Sequence, residues 1–149
     1  MSLKDKVGEA MKTAMKAKDK EGLAAIRAIK SAILLAETEG GAKGEIDEAT
    51  ELKLLQKLVK QRRESAEIYS KENRQDLADV ELNQAKVIEQ FLPKQLDDEE
   101  LKVVLEKIIA EVGATSKKDM GKIMGAASKQ LAGQADGKRI SAMVGTLLS

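Results

Sequence analysis

Histidine and cysteine are both missing from this 149-residue chain. Without them there is no disulfide, no Cys-rich zinc site, no Cys-His nucleophile and no imidazole acid or base. Tryptophan is absent as well, and one Phe and one Tyr make up the aromatic content. So little ring surface argues against a protein that reads RNA by stacking bases or holds a flat cofactor. Charge of one sign is also lacking: 26 Lys+Arg face 25 Asp+Glu, for a net +1. No apolar run is long enough to span a bilayer, and no basic start leads into an apolar core with a small-residue cleavage site. On those grounds the chain is expected to be cytoplasmic, with no membrane partner.

The near-neutral total hides an uneven distribution. Residues 1–90 carry 17 charges of each sign, residues 91–112 three positive and six negative, and residues 113–149 six positive and two negative. An anionic partner is therefore expected at the C-terminal end.

What is present is helical spacing. Proline occurs once, at Pro93, and the one Gly-rich stretch is Gly40-Gly41-Ala42-Lys43-Gly44. Leu3, Val7, Met11, Ala14 and Met15 form a first stripe, opened by Ser2 and Asp5 as a capping pair. Leu23, Ile26, Ile29, Ile33 and Leu34 form a second, stopping at Gly40-Gly41. Asp47 caps a longer helix carrying Leu52, Leu55, Val59, Ala66 and Tyr69 towards Asn73, and a fourth runs from about Gln75 to Leu92. Pro93 ends it, because its ring forbids helical backbone at the residue before.

A complete helix start follows: Asp97 caps, Glu100 returns the bond, and Leu96 staples onto Leu101. That helix carries Val104, Leu105, Ile108 and Val112 to Gly113, placed for a left-handed cap. Ser116 with Asp119 opens the next, bearing Ile123, Met124, Ala127 and Leu131 up to Gly133. Asp136 opens the last, with Ile140, Met143, Val144 and Leu147 facing inward. The expected architecture is all-α: long antiparallel helices over residues 1–93, then a small three-helix bundle over residues 94–149.

Two glycine motifs stand out. Met120-Gly121-Lys122-Ile123-Met124-Gly125 puts two glycines four residues apart inside a helix, each costing about 1 kcal/mol relative to alanine. A close helix crossing over that flat face is the simpler account, and under it an added methyl overpacks the crossing, most surely at Gly125. Backbone approach by a sugar-phosphate chain is the other account. Gly133-Gln134-Ala135-Asp136-Gly137-Lys138-Arg139 gathers glycines, a helix start and two cations, but lacks P-loop spacing and any preceding strand. It reads as a helix-helix turn with Lys138 and Arg139 exposed.

The cationic run Lys60-Gln61-Arg62-Arg63-Glu64 and the acidic Glu67, Glu72, Asp76 and Asp79 read as solvated helix faces. Nothing in their spacing forces Glu64, Glu67 and Asp76 together, so neither a metal nor an acid/base pair is expected. Ser128-Lys129 is the one tempting nucleophile pair, yet neighbours on a helix point about 100° apart.

The runs Lys60 to Tyr69, Arg74 to Ala78 and Phe91-Leu92-Pro93-Lys94-Gln95-Leu96 closely resemble the bacterial YqeY family. Asp119 to Gly125, then Gly133, Asp136, Gly137 and the apolar helix to Leu148, resemble the domain that YqeY shares with the tail of GatB and GatE, subunits of tRNA-dependent amidotransferases. Phe91 stands where Tyr is usual, and Gln84 where an acidic residue is common, which weakens any acidic set on the fourth helix. The resemblance implies an all-helical protein whose bundle is related to a tRNA-recognising tail. Glutamine hydrolysis and activation of the misacylated tRNA belong to other parts of that system. A carbon–nitrogen ligase activity with glutamine as amido-N-donor is therefore expected to be a description inherited through the shared domain.

The leading expectation is a non-catalytic module that binds tRNA or another structured RNA through Lys117, Lys118, Lys122, Lys129, Lys138 and Arg139. Met120, Gly121, Gly125, Gly133, Asp136 and Gly137 form its family motif. Cations without aromatics would grip backbone phosphates and the shape of the fold rather than bases. The rival is a protein-interaction adaptor, docking through the bundle or the long third and fourth helices. No catalytic residue, metal or cofactor is expected.

Overall fold

A computed structural model describes residues 2–39 and 44–148. Those residues form seven α-helices and no strand. The Gly40-Gly41 stop expected for the second helix lies outside them. The chain divides into two compact units, Met1–Leu92 and Pro93–Ser149.

Unit 1 contains α1 (Leu3–Lys16), α2 (Lys20–Thr38), α3 (Glu48–Lys71) and α4 (Gln75–Glu89). Each of the first three starts on a side-chain cap. Ser2 Oγ accepts from the Asp5 amide at 3.2 Å while Asp5 Oδ2 accepts from the Ser2 amide at 3.3 Å, a reciprocal box that satisfies two orphan donors. Asp19 Oδ1 accepts from the Gly22 amide at 3.0 Å, and Asp47 Oδ1 from the Thr50 amide at 2.8 Å. A Cβ at Gly22 would overlap the Asp19 carboxylate, so glycine there leaves room for the cap.

Left-handed residues, Lys18 (φ 56°) and Asn73 (φ 60°), reverse the chain after α1 and α3. α4 was expected to reach Leu92. Its regular turns stop at Glu89, and Gln90, Phe91 and Leu92 close tighter bonds to the carbonyls three residues back. The residue before Pro93 cannot stay helical, and the strain is taken up over one turn.

α2 packs on α1, α3 and α4, and α3 pairs with α4 along much of its length. The core of this unit joins Val7, Ile26, Ile29, Ile33, Leu55, Val59 and Ile88. Two members of the expected stripes are largely exposed: Met15 is 58% exposed and Leu34 51%. Each sits at the edge of its helix's apolar stripe, on a flank that no neighbouring helix covers.

Unit 2 contains α5 (Asp98–Val112), a 3-10 turn (Lys117–Asp119), α6 (Met120–Gln130) and α7 (Gly137–Leu147), with the three helices packed on one another. Leu101, Leu105, Ile108, Ile123, Ile140 and Val144 close a core of its own. The Asp97–Glu100 capping box is formed, and Gly113 ends α5 at φ 74°. Val112, expected inward, is partly exposed, since the helix is already turning towards that cap. Ser116 caps the 3-10 turn rather than α6 itself, and α6 begins at Met120.

The Glu100 amide, donating to Asp97 at 2.8 Å, holds the Asp97 carboxyl below the usual aspartate value. A depressed carboxyl contributes stability that is complete above the unfolded value and is lost as pH falls through the folded one. Thermal melts at falling pH should therefore show wild type losing stability more steeply than Asp97→Asn below about pH 4. Parallel curves would show that the cap does not govern acid unfolding.

Candidate functional site

The sequence-predicted cations all lie in unit 2, but in two environments. Lys117 and Lys118 stand exposed in the 3-10 turn that leads into α6. That turn is fixed by the Lys118 amide donating to Ser116 Oγ at 3.4 Å and by the Thr115 amide donating to Asp119 Oδ2 at 3.2 Å. Lys122 and Lys129 are exposed on α6, seven residues and about two turns apart, so they share a face. Lys138 is exposed in the first turn of α7. None of these five lysines makes an ion pair among the described residues.

Arg139 differs. One guanidinium nitrogen donates to the Leu96 carbonyl at 2.9 Å and to Asp98 Oδ1 at 3.0 Å. The same segment is held twice more: the Leu96 amide donates to the Gln134 carbonyl at 3.0 Å, and Gln95 Nε2 donates to the Gly133 carbonyl at 2.5 Å. Arg139 thus ties the start of α5 to the start of α7, and the exposed guanidinium expected from the sequence is already engaged. Asp136 has the same structural character, since it caps α7 by accepting from the Arg139 amide at 2.7 Å. Gly133, at φ 78°, makes the left-handed turn between α6 and α7. These motif residues build the bundle.

The α6 glycines do not. Both are exposed, and a Cβ built on either meets no heavy atom within 4 Å. The close helix crossing expected at Gly121 and Gly125 is therefore absent: the inward face of α6 belongs to Ile123 and Ala127, and Met120 and Met124 pack beside them. Gly121 and Gly125 lie on the opposite side with Lys122 and Lys129. On this face the helix backbone is uncovered, with Lys122 and Lys129 along one flank. Gly137, at the start of α7, is likewise in open space.

The polar run on α3 is drawn into packing with α4. Arg62 Nε donates to Gln84 Oε1 at 3.3 Å, Arg63 pairs with Glu89, and Lys60 lies 4.0 Å from Glu64. Gln84 serves as the acceptor that links the two helices. Asp76 pairs with Arg74, whose hydrogen bond holds its carboxyl below the usual range. Among the described residues no three His, Cys, Asp or Glu come together to hold a metal, and no helix is long and apolar enough to cross a membrane.

All seven helices, but for Leu3 at the start of α1, fall within one family match. The model for Yqey-like protein matches residues 4–148, and the chain belongs to that family. Among curated proteins it is similar to "Altered inheritance of mitochondria protein 41, mitochondrial" of Clavispora lusitaniae (strain ATCC 42720), 34% identical over 123 residues, covering 81% of this chain and 69% of that protein. The mitochondrial name of that relative overturns the cytoplasmic expectation. An apolar-run test distinguishes membrane-spanning chains and does not separate one aqueous compartment from another.

The open space over the glycines reverses the sign of their substitution. Gly125→Ala should stabilise by roughly 0.4 to 1 kcal/mol, and Gly121→Ala by less because it lies in the first turn. Arg139→Ala should destabilise by about 1 to 3 kcal/mol, since the shielded Leu96 carbonyl loses a charged donor. Thermal or urea unfolding of the three variants checks both signs.

Proposed function

We propose that the protein is a non-catalytic module that binds tRNA or another structured RNA on the lysine-and-glycine face of its C-terminal unit. The observation that carries this reading is the exposed side of α6, where Gly121 and Gly125 leave the backbone bare beside the row of Lys122 and Lys129. A phosphate chain can approach such a face more closely than one covered by side chains, with ammonium groups along one flank. Lys117, Lys118 and Lys138 extend the positive surface, while Arg139 keeps the α5 and α7 ends in register. The absence of exposed aromatics fits recognition of backbone and shape rather than of bases. Kinship with the tail of GatB supports the same ligand class, and it supports a role in recognition rather than in amide transfer.

Filter binding of purified tRNA to the full chain should detect salt-sensitive affinity. Each phosphate contact contributes about 0.9 to the slope of log affinity against log salt on duplex regions. Lys122→Glu with Lys129→Glu should reduce both the affinity and that slope, by about two for the pair. Gly125→Leu should weaken binding without unfolding the bundle. No affinity at low salt, or affinity unmoved by the double reversal, sinks the reading.

A further inference from the structure

Unit 1 carries an open groove of 260 Å³ between α1 and α2. Val7 and Ile33, both buried, form its base, with the partly buried Met11 beside them, Leu34 on one wall, and Lys4 and Lys30 at its borders. Its empty volume lies over Gly8. A Cβ there meets nothing within 4 Å and the backbone is ordinary helix, so the fold itself has no use for this poor helix former in α1.

The apolar surface continues beyond the groove. Met15, one turn after Met11, is 58% exposed and Leu34 is 51% exposed, so two flexible thioethers and a leucine line a strip parallel to the helix axes. Such a strip accommodates the apolar face of a helix, with methionines repacking to its shape. The charges around it select the partner. Lys4 is matched internally, its ammonium 2.5 Å from the shielded Oε1 of Glu37. Lys30 and Arg27, about one turn apart on the exposed flank of α2, have no carboxylate partner among the described residues.

We propose that this groove docks an amphipathic helix of a partner protein, its apolar face seated on Met11, Leu34 and the bare backbone of Gly8, its flanking carboxylates paired with Lys30 and Arg27. The site is independent of the RNA-binding reading, because it lies in the other unit and uses none of its residues.

The probes are two fluorescein-labelled synthetic peptides of about 18 residues, long enough to form a helix. They share one leucine face and differ in carrying either glutamate or lysine on its flanks. Anisotropy titration of the full chain should show saturable binding of the glutamate peptide, at least about tenfold tighter than the lysine peptide, a difference of about 1.4 kcal/mol. Leu34→Glu should weaken it by tenfold or more, and Lys30→Glu with Arg27→Glu should invert the preference. These positions are exposed, and circular dichroism melts confirm that the variants fold. Gly8→Leu should also abolish binding by filling the groove. The Lys122→Glu, Lys129→Glu variant should bind the peptide normally, which separates this site from the RNA face. Absence of saturable binding, equal binding of both peptides, or indifference to Leu34→Glu overturns the proposal. So does self-association in sedimentation, or cosedimentation with phosphatidylglycerol vesicles, that Leu34→Glu removes, since the groove would then serve a second copy or a membrane surface.

Discussion

Every buried residue among those described is apolar, glycine included: no polar or charged side chain lies inside either core. With so few aromatic residues, those cores are closed by Ile, Leu, Val and Ala, side chains that gain only by close contact and area removed from water. No hydrogen-bond network inside fixes the register of one helix on another. That task passes to the helix ends, where Ser2, Asp19, Asp47, Asp97 and Asp136 set where five of the seven helices begin.

Polar contacts that hold elements together therefore lie at the borders of the cores. In unit 2 four of them converge on residues 95–98, one each with Gln134 and Gly133 and two from Arg139. In unit 1 Arg62 with Gln84 and Arg63 with Glu89 fasten α3 to α4. Exposed ion pairs of this kind contribute little stability singly. Their effect is on alignment: without them an aliphatic interface slides at small cost. The same arrangement leaves recognition to the surface, where charges without internal partners become informative.

Local chemistry is what the sequence displayed well. Capping boxes at Ser2–Asp5 and Asp97–Glu100 and the left-handed Gly113 depend on residues within one turn, and all three stand where the spacing put them. Membership of the Yqey-like family was legible from short runs distributed along the chain. Which border of an apolar stripe would be covered was not legible. Met15, Leu34 and Val112 obey the helical period as well as Ile29 does, but whether a neighbour reaches that flank depends on the packing of other helices. The α6 glycines were misread for a related reason. Spacing of four defines a smooth face and does not say whether another helix or solvent lies against it. Arg139 looked like a free cation because its acceptors, Leu96 and Asp98, are some forty residues away along the chain.

Past the first residue of a helix, three glycines, Gly8, Gly121 and Gly125, meet no neighbour and need no unusual backbone angle. At roughly 0.4 to 1 kcal/mol each relative to alanine, and less at Gly121 in its first turn, they together forgo about 1 to 2 kcal/mol, a noticeable part of the ~5 to 15 kcal/mol by which domains of this kind are stable. Nothing inside either core offsets that loss. In both units the bare backbone lies beside lysines that have no internal counterion: Lys30 near Gly8, Lys122 and Lys129 along one flank of the α6 pair. The surroundings then differ in polarity. Around Gly8 the neighbours are Met11, Ile33 and Leu34, which favour an apolar visitor with an acidic edge; the exposed residues of α6 are lysine, serine, glutamine and glycine, which favours an anionic chain with no apolar face to bury. Raised salt separates the two on physical grounds, since it screens the second contact throughout and the first only at its border.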